Sequence, residues 1–171
     1  MTVDEFVLFV ESKQPPAPEP RLRAFEAAIG GPLPADYRAF LVATNGGSLG
    51  GKLWFIGPTP EGLKADAGVH HVGGFRREQW FSLERSREVY QGLDLRIPRE
   101  LVWVMDDPFG NAICLGVRGR YCGKVYFWDH EEEPEPETWD GAIETAGNLM
   151  LLANSFTEFV GGLVPTESRD L

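Results

Sequence analysis

The sequence predicts an α+β fold in which helices flank a mostly antiparallel sheet. Two observations carry this. Apolar residues recur at helical spacing through the first 45 residues, whereas short apolar runs separated by glycine-rich turns dominate residues 101–129. A further apolar stripe near the C-terminus returns to helical spacing, and helices, then strands, then a helix is the order of an α+β chain.

Element by element, Thr2 and Glu5 have capping-box spacing, and Val3, Phe6, Val7 and Val10 follow on one helical face, predicting a helix that ends near Ser12. Pro15-Pro16-Ala17-Pro18-Glu19-Pro20 cannot extend it and reads as a stiff, extended linker. A second helix over Arg21–Ile29 would bury Leu22, Phe25 and Ile29 and stop at Gly30-Gly31. Pro34 starts a third, with Leu33, Tyr37, Phe40 and Leu41 inward and Asn45-Gly46-Gly47 as its stop.

Lys52–Ile56 is the first strand expected, closed by Gly57-Pro58-Thr59-Pro60. Residues 61–75 are glycine-rich and give no periodic signal; the paired His70-His71 is expected in a loop there. Ser82–Gln91 reads as a helix with Leu83 and Tyr90 inward. Leu101–Met105, Ala112–Val117 and Lys124–Asp129 form an expected three-stranded meander, with turns at Asp106–Asn111 and Arg118–Gly123. Gly147–Gly161 is expected to be the last helix, carrying Leu149, Leu152, Phe156 and Phe159 on one stripe.

The 171 residues suit one domain over 1–171, with a core of about 22–163 preceded by the N-terminal helix and Pro-rich linker at 1–20. Hydrophobic residues make up 43% of the chain, enough for a core. Apolar runs such as Leu101–Met105 and Val125–Trp128 are far too short to span a bilayer, and no membrane partner is expected. The N-terminus has acid where a signal peptide needs base, and Cys114 and Cys122 cannot make a disulfide framework or a four-ligand zinc site. A cytoplasmic location is the expectation. The formal net charge of -10 argues against direct nucleic-acid binding, which needs a cationic surface, and favours a basic partner or plain solubility.

Four blocks bear a resemblance to a known family. They are Phe25-Glu26 … Ile29-Gly30 … Leu33-Pro34-Ala35-Asp36-Tyr37 … Phe40-Leu41 … Asn45-Gly46-Gly47; Asp107-Pro108-Phe109-Gly110-Asn111-Ala112-Ile113-Cys114-Leu115; Gly123-Lys124-Val125-Tyr126-Phe127-Trp128-Asp129-His130-Glu131; and Ala153-Asn154-Ser155-Phe156-Thr157-Glu158-Phe159. In order and spacing they resemble SMI1/KNR4-like (SUKH) domains. The resemblance implies an α+β fold with a central, mostly antiparallel sheet. It also implies a non-catalytic protein-binding role, since many bacterial members resemble immunity proteins that bind and neutralise a toxin domain encoded beside them. Other members serve in fungal signalling and wall regulation. The Pro-rich linker and the stretch Glu61–Leu95 depart from the pattern, and those departures leave the partner open.

Asp129, Glu131, Glu132, Glu133, Glu135 and Glu137 are the candidate contacts for a basic partner, and a solvated acidic loop is the competing reading. A metal at Asp129-His130-Glu131 is disfavoured, because alternate residues of a strand face opposite ways. Trp80 and Trp139, in less regular segments, are candidate aromatic anchors, with core packing as the alternative. Adjacent His70 and His71 seldom serve one metal, and no third ligand is conveniently spaced. Asp106-Asp107 reads as turn chemistry before an acid–base pair. No nucleophile elbow, phosphate loop or activated cysteine is present. Neither a catalytic residue nor a cofactor or metal is therefore expected. The expected function is neutralisation of a cognate toxin domain, a nuclease being one possibility. The alternatives are a regulatory scaffold or small-ligand-binding module without a toxin partner, and an enzyme built on Asp106, Asp107 and Asp129.

Overall fold

A computed structural model describes residues 1–58, 64–75 and 81–168. Its elements are α1 (Val3–Phe9), α2 (Glu19–Ile29), α3 (Ala35–Thr44), β1 (Gly47–Pro58), β2 (Lys64–Val72), α4 (Leu83–Gln91), β3 (Leu101–Asp106), β4 (Ala112–Gly116), β5 (Val125–Trp128), β6 (Leu149–Ala153), α5 (Phe156–Gly161) and β7 (Val164–Pro165). The strands form one antiparallel sheet in the order β6-β5-β4-β3-β2-β1-β7. The α+β class read from the sequence is the class observed.

The sheet is curled. Phe55 on β1 and Phe127 on β5 are four strands apart, which in a flat sheet would be about 19 Å at roughly 4.8 Å per strand. Their ring centroids are 5.5 Å apart. Gly57 permits this closure, since a Cβ there would sit 2.5 Å from Cδ2 of Leu152 on β6. Phe159 of α5 packs on Phe55 from the helical side, with centroids 6.1 Å apart.

The helix starts and stops follow local chemistry. Thr2 and Glu5 exchange both capping-box bonds, with the Glu5 amide donating to Thr2 at 3.2 Å and the Thr2 amide to Glu5 at 2.7 Å. Those bonds, the Thr2 backbone amide first, also hold the Glu5 carboxyl below its ordinary range. Gly30 and Asn45 end α2 and α3 in the left-handed conformation that such stops use. Helices α1, α3 and α5 meet in one aromatic cluster: Phe6 lies 5.5 Å from Phe40, and Tyr37 lies 5.1 Å from Phe156. Burial pushes the Tyr37 hydroxyl far above its ordinary value, so it stays protonated and bonds the Gly73 carbonyl at 3.4 Å.

Four local expectations need correction. The Pro-rich segment is not a free linker. The Ala17 amide donates to Leu41 at 3.1 Å, Ala17 is buried, and Pro20 already lies in the first turn of α2, where its missing donor costs nothing. The first strand is far longer than Lys52–Ile56, because Gly50 and Gly51 adopt positive φ in an irregularity that lets β1 continue. His70 and His71 lie on β2, not in a loop. Finally, Leu149–Ala153 is a strand beside β5, and the last helix begins only at Phe156. A five-residue apolar run has no decisive period. The cap marks the true start: the Ser155 hydroxyl accepts from the Glu158 amide at 3.0 Å.

Candidate protein-docking surface

The hairpin between β3 and β4 ends in Asp107-Pro108-Phe109-Gly110-Asn111, whose side chains lock the turn. Asp107 Oδ1 accepts the amides of Phe109 and Asn111 at 2.8 and 2.9 Å, and its Oδ2 accepts Asn111 Nδ2 at 2.8 Å. The Asp107 amide returns a bond to the Asn111 carbonyl at 3.2 Å. Asp107 is buried, but Phe109, carried by this turn, is 68% exposed. A large apolar ring is thus held in water on a backbone that has little freedom left to lose.

Asn111 also joins the turn to the acidic segment that leaves β5. Its Oδ1 accepts the His130 amide at 3.1 Å and lies 2.8 Å from His130 Nδ1. Asn148, buried ahead of β6, donates to the Asp129 carbonyl at 2.7 Å, and the Asp129 amide donates to the Asn148 carbonyl at 3.0 Å. The Asp129 carboxylate accepts the Glu131 amide at 2.9 Å, closing a turn. The acidic segment therefore leaves the sheet along a fixed path.

Its acids do different work. Glu133 makes a forked ion pair with Arg96, the Nε bond measuring 2.9 Å. Those hydrogen bonds raise Arg96 above its ordinary value. The Arg96 guanidinium also lies over the rings of Tyr90 and Trp128, 5.3 and 5.4 Å from their centroids. Glu133 is thus a tether. Glu131, Glu132, Glu135 and Glu137 are exposed and join no ion pair among the described residues. They form the open, negatively charged part.

Trp139 is half-buried, and its indole N–H donates to the Ala142 carbonyl at 3.1 Å and to the Thr145 hydroxyl at 3.2 Å. The Thr145 hydroxyl and the Ala142 amide hold Asp140 below the usual carboxylate range. Trp139 thus braces its own loop. Trp80, the other aromatic candidate, lies outside the described residues. Phe109 was missed by the sequence reading. Its one signal was a large aromatic in the middle of a turn otherwise built of Asp, Pro, Gly and Asn.

The three aspartates that could have formed an acid–base site have separate hydrogen-bond partners. Asp107 is engaged in the turn, Asp129 in its own loop, and Asp106 faces His71 at 3.1 Å. Cys114 is buried in β4, where burial pushes its thiol well above the ordinary value and away from the reactive thiolate. One ring nitrogen each from His70 and His71 and one oxygen of Asp106 lie within 4.8 Å of one another, and these three residues have the ligand types a metal uses. No helix among the described residues is long and apolar enough to cross a membrane.

Comparison with known proteins agrees with the resemblance read from the four blocks. The sequence pattern of the SMI1/KNR4 family (SUKH-1) matches residues 16–162. An SPbeta prophage-derived uncharacterized protein of Bacillus subtilis strain 168, YokK, is 27% identical over 165 residues, covering 84% of this chain and 73% of the relative.

Proposed function

Because the chain belongs to the SMI1/KNR4 family (SUKH-1), we propose that it is a non-catalytic immunity protein that binds and neutralises a cognate toxin domain. The observation that carries this reading is the rigid, exposed Phe109 beside the acidic segment 129–137. Buried aromatic anchors supply much of the energy at protein interfaces, and an anchor that is already ordered loses less entropy on binding. Glu131, Glu132, Glu135 and Glu137 would form the charged rim around that anchor. The partner that fits has an apolar pocket bordered by lysine or arginine. The substrate groove of a nuclease has that charge, and the acidic rim would take the place of phosphates there. Binding would occur in the cytoplasm and would block the toxin by occlusion.

The test is co-expression of the full chain with the product of its neighbouring gene. Growth rescue and co-purification are expected, and the association rate of the purified pair should fall steeply with added salt, as electrostatic steering requires. Absence of both rescue and co-purification would overturn the proposal, and a rate indifferent to salt would remove the role of the acidic rim.

A further inference from the structure

We propose that His70, His71 and Asp106 form a binding site for a divalent transition metal, zinc being the ion their chemistry suits best. Residues 70 and 71 are neighbours on β2 and would ordinarily face opposite sides of the sheet. Here they do not diverge, for their ring centroids are 4.0 Å apart. The cause lies in the sheet. β1 loses register with β2 between Ser48 and Leu53, opposite His70, so no regular pleat holds that residue to its face. Ser48 Oγ lies 3.5 Å from the His70 carbonyl at the edge of the same irregularity.

Asp106 comes from the neighbouring strand, directly paired with His71. Its Oδ1 accepts the His71 amide at 2.9 Å and lies 3.1 Å from His71 Nδ1, while Oδ2 is 3.3 Å from the same nitrogen. The His71 ring is further fixed by stacking on Phe81, with centroids 4.5 Å apart and planes 13° apart. The side chains of His71 and Asp106 are only 13% and 7% exposed.

Two arguments point to a cation. A carboxylate this buried needs compensating charge, yet among the described residues no lysine or arginine bonds to Asp106. The ligand atoms also have nearly the right spread. Tetrahedral zinc holds its ligands at about 2.0–2.2 Å, hence about 3.3 Å from each other, and the three protein atoms already fall within 4.8 Å. Two imidazoles and one carboxylate are a zinc ligand set with one position left for water or for a group from a partner. Asp106 directly precedes Asp107, so the ion would sit at the root of the hairpin that carries Phe109.

The experiment uses the full chain, freed of any histidine tag and stripped with chelator, titrated with zinc chloride in a calorimeter and separately with cobalt chloride in a spectrophotometer. One saturable equivalent of zinc and the intense visible absorption of four-coordinate cobalt are expected. His70→Ala and His71→Ala should each weaken zinc binding by roughly tenfold or more with an unchanged circular dichroism spectrum, whereas His130→Ala should bind as the parent does. Asp106→Asn, which keeps an oxygen acceptor for the His71 amide, should weaken binding too. The proposal is overturned if the parent chain shows no saturable zinc binding, or if both histidine variants bind as well as the parent. Either result would mean that Asp106 and His71 form only a hydrogen-bonded pair. No partner protein enters the titration, so its failure is separate from any failure of the docking surface.

Discussion

Phe109→Ala is expected to weaken binding of the partner by about 2–4 kcal/mol, roughly 30- to 1,000-fold, while changing the stability of the free chain by no more than about 0.5 kcal/mol. The two effects separate because of where the ring sits. In the free protein it is 68% exposed and forms no part of the buried core, so truncation removes little that holds the fold together. The turn beneath it depends on Asp107 and Asn111, which the substitution leaves intact. On the partner, the ring would be desolvated completely, and each apolar atom buried there counts toward affinity. The checks are calorimetric titration of the partner and a urea unfolding curve of the free chain. An affinity changed less than threefold would place the anchor elsewhere.

Trp128→Ala should produce the largest loss of stability, about 3–5 kcal/mol, read as a lowered urea midpoint. Trp128 is wholly buried, its indole N–H donates to the Arg96 carbonyl at 3.2 Å, and its ring meets Tyr90 edge-on at 5.5 Å. It also lies beneath the Arg96 guanidinium that holds Glu133. Removing the indole therefore creates a cavity and loosens the acidic segment's tether in one step. A loss of this size is a large fraction of the total stability of an ordinary domain, so Trp128→Phe serves as the milder companion. It keeps a ring in the cavity while deleting the N–H bond, and should cost clearly less. A Trp128→Ala loss under about 1 kcal/mol would mean that the site collapses freely and is no pivot.

Where local chemistry decides the structure, the sequence was legible. The capping box at Thr2 and Glu5, the glycine stop at Gly30 and the left-handed Asn45 all act over a few residues, and all appear as read. The strands Leu101–Asp106, Ala112–Gly116 and Val125–Trp128 were visible because each is a short apolar run bounded by turn formers. Leu149–Ala153 was misread because its identity as a strand depends on pairing with β5, about 25 residues earlier, and its own spacing suits either period. The length of β1 and the placement of His70 and His71 were hidden for a related reason: glycines that look like a loop here permit an irregular pairing.

The proposed docking surface was half legible. Its charge could be counted from Asp129 to Glu137. Its division of labour could not, because Glu133 differs from its neighbours only through Arg96, which is remote in sequence. Phe109 was hidden inside a convincing turn motif, and the convergence of His70 with His71 contradicts the alternation that strands normally obey. Long-range pairing, not residue type, made the difference for Glu133 and for the two histidines.

The central claim is that this chain meets its partner through the β3–β4 turn and the acidic segment. Amide hydrogen exchange of the full chain, alone and with the co-purified partner, tests it most directly. The account predicts that protection on binding is concentrated in residues 107–111 and 129–137, with little change in α1 and α5. Protection confined to the helical side around α1, α3 and α5, with those two segments exchanging as in the free protein, would contradict it.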